Sequence, residues 1–176
     1  MVETDFQDWI ASLGLDEPDE GGDIGTAPAG RDEFFAEVFK SNGGPLSVEE
    51  LNAAWQERER SLVVRGAALV AADLRRTTAL DPRIEVATVD DGIVAVTYNE
   101  SYQTPATFAI REPESICDVA DNLRDHVVDD LWAVWPVCPK DGLGLDPRPI
   151  NGRAVWHCRV GDHIVSEIGQ LPRADR

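Results

Sequence analysis

Between residues 47 and 98 the spacing of apolar side chains switches from helical to alternating. A chain that does both in succession must pack helices on an antiparallel sheet. Leu51, Ala54, Trp55, Leu62, Ala68, Leu69 and Ala72 recur at helical intervals to about Thr78. Ser47 and Glu50 supply the S-x-x-E pattern of a capped N-terminus, with Pro45 just upstream. Gly66 falls inside this run and is expected to kink it or to mark the meeting of two helices. Residues 84–89 and 93–98 then alternate, and Asp90-Asp91-Gly92 between them signals a hairpin. Residues 106–111, entered through Pro105, read as a third strand. The expected class is α+β, with helices packed on a small antiparallel sheet.

Three further helices flank this region. Residues 4–13 place Phe6, Trp9, Ile10 and Leu13 at i, i+3, i+4 and i+7, on one face. Residues 14–30, rich in Gly, Pro and acid, read as a tether. Such a helix either docks in the groove of a partner protein or packs on its own domain. Residues 31–40 give a second short helix. Ser115 is the expected cap of a helix running to about Ala133, with Ile116, Val119, Ala120, Leu123, Val127 and Leu131 as its buried stripe. Its other face carries Asp118, Asp121, Asp125 and Asp129, with His126 among them. Without a Gly-bearing ligand loop these are expected to be a solvated face rather than a cation site.

The last forty residues change character again. Asn151-Gly152 signals a type I′ turn and Gly161-Asp162 a second reversal, so a three-stranded antiparallel module is expected, joined to the preceding helix by Trp132, Trp135 and Trp156. The expected division is an arm over 1–30, an α+β domain over 31–133 and a β module over 134–176. Cys138-Pro139-Lys140-Asp141-Gly142 resembles the C-P-x-C-G knuckle of zinc ribbons and rubredoxins, with aspartate at the second ligand position. Cys158 and His163 flank the Gly161-Asp162 turn, so Cys138, Asp141, Cys158 and His163 form a candidate ligand set that tetrahedral zinc tolerates. His157 is an alternative donor, although strand alternation turns it away from Cys158. Iron is disfavoured because a rubredoxin site needs four thiolates. Two other readings stay open: a vestigial ribbon with small buried thiols, and a Cys138–Cys158 disulfide, disfavoured in a reducing compartment. The odd count of three cysteines argues against a disulfide framework. The wider string W-P-V-C-P…A-V-W-x-C…I-G-x-L, over about residues 115–171, resembles a C-terminal pattern of uncharacterised actinobacterial proteins, in which the position of Asp141 is often a histidine. That resemblance implies a shared module and no particular activity.

Charge bounds the function. The chain carries a net charge of −17, from 33 acidic and 16 basic residues. Direct nucleic-acid binding is disfavoured, and a basic protein partner suits the surface. Residues 1–40 hold 11 acids against 2 bases, and residues 134–176 hold 5 against 6. No apolar run approaches the ~20 residues that span a bilayer. The first residues lack a basic signal-peptide region, so a cytoplasmic location is expected. Phosphate-loop, dinucleotide-binding and nucleophile-elbow motifs do not occur. The leading expectation is a non-enzymatic interaction protein docking through Phe6, Trp9, Ile10 and Leu13. The alternatives are a metal- or thiol-dependent enzyme centred on Cys138, Cys158 and His163, and an acidic inhibitor or immunity-type protein covering a basic site.

Overall fold

The longest helix, α3 (Val48–Thr77), is set by its two ends. At the start, Ser47 Oγ accepts from the Glu50 amide at 3.3 Å while the Glu50 carboxylate accepts from the Ser47 amide at 2.9 Å, closing the expected capping box. At the end, the Thr78 amide donates to the Leu74 carbonyl, and Arg75 and Arg76 lie over the negative pole of the helix. The computed structural model describes residues 2–13, 30–89, 93–100, 102–105 and 109–173, and the side chains of all of these except 2–4 and 102–105. Before α3 come α1 (Val2–Ser12) and α2 (Arg31–Asn42). After it come strands β1 (Ile84–Thr88), β2 (Val94–Tyr98) and β3 (Tyr102–Pro105), then helix α4 (Glu112–Leu131). Strands β4 (Asp146–Ile150), β5 (Arg153–Cys158) and β6 (His163–Glu167) close the chain. Each set of three strands forms an antiparallel meander, in the orders β1-β2-β3 and β4-β5-β6. The architecture is α+β.

Four expectations need correction. Gly66 neither kinks nor ends α3. It is buried, and a Cβ there would lie 3.1 Å from Val119 Cβ, so the residue permits close approach of α4. The third strand described is 102–105; of the expected 106–111, residues 106–108 lie outside the described residues and 109–111 are not strand. Pro105 closes it by withholding an N–H from the ladder, and Ala109 and Ile110 follow as buried loop. Helix α4 starts at Glu112 with Arg111 as its cap residue. Pro113 fits the first turn, and Ser115 lies inside that turn with its amide donating to the Arg111 carbonyl. Trp132 joins nothing: its positive φ of 51° ends α4 and leaves the ring 94% exposed. Residues 90–92 of the expected first hairpin, and most of the tether, lie outside the described residues.

Two apolar clusters hold the molecule. The larger joins Val63, Val70 and Leu74 of α3, Val119, Leu123 and Val127 of α4, Val94, Val96 and Tyr98 of β2, and Trp156 and Ile168 at the C-terminal sheet. The smaller packs Trp9 of α1 with Phe34, Phe35 and Phe39 of α2, Leu51 of α3 and Ile110. Trp135 and Trp156 meet edge-to-face, centroids 5.7 Å apart, and carry the larger cluster into the C-terminal sheet.

Candidate metal centre

The turn after β4 has φ of 52° at Asn151 and 73° at Gly152, the paired positive values of a type I′ hairpin. Its counterpart after β5 is shaped by Asp162, with φ of 46°, and brings Cys158 opposite His163 in the β5–β6 register. A third turn precedes β4. Gly142, with φ of 69°, donates to the Cys138 carbonyl at 2.9 Å, and the Cys138 amide donates to the Leu143 carbonyl at 2.7 Å. This third turn is a knuckle: the Asp141 amide points back at Cys138 Sγ, 3.4 Å away. The Gly161 amide does the same for Cys158.

These turns converge. One donor atom from each of Cys138, Asp141, Cys158 and His163 lies within 4.8 Å of every other, and the four could hold a metal ion. Asp141 Oδ2 accepts from the Cys158 thiol at 3.2 Å and from the Cys138 thiol at 3.5 Å. His163 presents Nε2 at 3.6 Å from Cys138 Sγ and Nδ1 at 3.9 Å from Asp141 Oδ2. An ion bonded at about 2.0–2.3 Å to four tetrahedral donors holds them about 3.3–3.8 Å apart, so the separations of up to 4.8 Å would have to close by about 1 Å at most. His163 Nδ1 is buried with no hydrogen-bond partner, as a ring awaiting a ligand bond would be. The space is kept by Gly161: a Cβ there would stand 2.5 Å from His163 Nδ1 and 2.6 Å from Asp141 Oδ2.

The electrostatics distinguish the donors. Asp141 is held below the usual carboxylate range, first by the Cys158 hydrogen bond and against the effect of burial, with Cys138, His163 and Lys140 adding to it. At Cys158 the Gly161 amide works to lower the pKa. Burial, the Asp141 carboxylate and Cys138 outweigh it, and the thiol stands above its ordinary value. An ion held there would bind the thiolate and so would displace the Cys158 proton. Both sulfurs are fully buried, whereas the Asp141 and His163 side chains are each 28% exposed, so the centre opens to solvent only on its oxygen and nitrogen side.

His157 lies outside the group, as alternation required. Its Nε2 pairs with Asp162 Oδ1 at 3.3 Å. Cys117 is a free thiol buried in the larger cluster and is not one of the four grouped donors. On α4, Asp118, Asp121, Asp125 and Asp129 are exposed and join no candidate ion site among the described residues. Asp121 and Asp125 pair instead with Arg124, at 2.8 and 3.6 Å. The four N-terminal candidates face their own chain. Phe6 meets Phe39 at 5.3 Å between centroids, Trp9 is buried with its Nε1 donating to the Leu46 carbonyl at 2.9 Å, and Ile10 and Leu13 pack at the cluster's edge. Two residues with structural weight were missed in the sequence. Gly161 appeared only as part of a turn. Asp73 is an acid at an inward position of α3 between Val70 and Leu74, and that misfit was the signal. Its Oδ2 accepts from Trp156 Nε1 and from the Gly169 amide, each at 2.7 Å, and its Oδ1 from the Leu171 amide at 2.8 Å. Burial raises its pKa despite these bonds.

No protein-family model, curated protein or solved structure matches this chain. Among the described residues no helix is long and apolar enough to cross a membrane.

Proposed function

We propose that this chain is a non-enzymatic, zinc-binding accessory protein, its C-terminal ribbon-like sheet stapled by Cys138, Asp141, Cys158 and His163. One observation carries the reading: four protein donors stand at distances that suit a single tetrahedral ion. Two sulfurs with one nitrogen and one oxygen favour zinc over magnesium or calcium, which take oxygen ligands. Four protein ligands fill the tetrahedron and leave no position for an activated water, so the ion is structural and the enzymatic alternative loses its centre. The W-P-V-C-P…A-V-W-x-C…I-G-x-L string is then the signature of a pair of metal-binding turns, including in the actinobacterial proteins it resembles. Mass spectrometry of metal in protein purified without chelator should find about one zinc per chain, and almost none in a Cys138→Ser, Cys158→Ser variant. Equal metal in the two samples overturns the proposal.

The accessory role rests on α1. Its apolar face covers a cluster separate from the main core, and the 14–29 segment that ties it on is rich in Gly, Pro and acid. Transfer of Phe6, Trp9, Ile10 and Leu13 to a partner's groove therefore leaves the larger core and the metal centre closed. Recovery of the same partner proteins by a chain lacking residues 1–29 would count against this role.

A further inference from the structure

The C-terminal end of α3 and the last described residues enclose a cleft of about 890 Å³, lined by Arg75, Arg76, Thr77, Thr78 and Arg173 and by no described carboxylate. None of the three guanidinium groups lies within ion-pair distance of a described acid. This is unusual in a chain with twice as many acids as bases. Seven other arginines, Arg111 and Arg124 among them, sit on carboxylates. Two further clefts each present two arginines, but there the cations come with acids. Arg65 and Arg153 face Glu112 and Glu167, and Arg58 and Arg111 face Glu33 and Glu37. Among the described residues, the lining of the cleft beside Arg173 has only cations.

Its construction is specific. Asp73, on the buried side of α3, binds the Gly169 and Leu171 amides, and Arg76 Nη1 donates to the Leu171 carbonyl at 3.2 Å. Those bonds draw the terminal segment across the helix end and set Arg173 opposite Arg75 and Arg76. Basic residues in a last turn ordinarily answer the helix dipole, but that pole carries only about half a charge. Three guanidinium groups, less Asp73 and the dipole, leave roughly one and a half positive charges. A carboxylate monoanion underfills such a site and a phosphate dianion matches it, with guanidinium forks suited to phosphate oxygens. The volume lies within the ~300–1,000 Å³ of small-molecule sites. A nucleic-acid polymer would meet the repulsion of the remaining acidic surface, whereas a small phosphate ester meets the cleft alone.

We infer that this cleft is a binding site for a small phosphate-bearing molecule, held by Arg75, Arg76 and Arg173. The site is independent of the metal centre. The test follows the arginine Nε–Hε resonances of the full-length protein during titration with inorganic phosphate and with phenyl phosphate, at constant ionic strength set with chloride. Saturable shifts confined to Arg75, Arg76 and Arg173 are expected, with binding weakened at least about tenfold in an Arg75→Ala, Arg173→Ala variant of unchanged circular dichroism. Linear shifts shared by Arg148, which lies outside the cleft, would mean ionic screening and overturn the assignment. So would equal affinity in the double variant. If that variant fails to fold, Arg173→Ala alone serves, because Arg173 is exposed and no described side chain pairs with it.

Discussion

Cys117 sits on α4 within the main core, and burial, followed by the Asp118 carboxylate, pushes its thiol up from an ordinary value of 9.0 to about 12. The unfolded chain therefore loses this proton first. Stability from the neutral thiol is fully present below pH 9 and is lost as pH rises toward 12, at about 1.4 kcal/mol per pH unit. Urea unfolding between pH 9 and 10.5 should show that slope reduced by about this amount in Cys117→Ala. Identical slopes would mean that the folded thiol ionises normally. The candidate donors were brought to notice at this scale because Cys138 and Asp141 stand in one short turn and Cys158 and His163 flank another. Trp132 was misread because a tryptophan is a large apolar surface wherever it stands, while its exposure follows from a left-handed φ that the residue type does not advertise.

Among elements, the contact of α3 with α4 depends on Gly66, where the nearest Val119 side-chain atoms would lie 3.1–3.3 Å from an added Cβ. A leucine there must displace Val119 or part the helices. Overpacking costs about 1–3 kcal/mol, set against a gain of up to about 1 kcal/mol for removing glycine from a helix interior. Gly66→Leu should lower stability by about 2 kcal/mol in urea unfolding, and Val119→Ala in the same chain should restore at least about 1 kcal/mol of it. Additive effects of the two substitutions would place the strain elsewhere. Strands and helices were legible where one local rule governed them, as with the Ser47 capping box and the Asn151-Gly152 turn. They were misplaced where two rules competed. Pro105 both introduces turns and ends ladders, and it stands here as the last residue of β3. Ser115 makes a good cap, yet Pro113 two residues earlier is already helical, which pulls the start of α4 back to Glu112.

At the scale of the whole molecule the deciding contacts span the chain, and no local pattern encodes them. Asp73 meets Trp156, Gly169 and Leu171 across 83 to 98 residues, tying the terminal segment to α3. Helix α1 reaches the rest of the molecule through the smaller cluster, and α3 is shared, with Leu51 and Trp55 in that cluster and Val63 to Leu74 in the larger one. The chain lacking residues 1–29 should therefore fail in one place only. Trp9 and Phe6 would no longer cover Phe35 and Phe39. Amide hydrogen exchange should quicken along α2 and the first turns of α3, as far as about Trp55, while amides from Val63 to Leu74 and in β5 keep their protection. Binding of an apolar dye should rise as the phenylalanines become exposed. If the proposed zinc is bound, its content should be unchanged by the deletion, because Cys138 and Cys158 belong to the larger cluster. If protection in β5 or the bound metal is lost together with α2, the two clusters form one cooperative unit, and α1 is then an integral part of the fold that no partner can borrow.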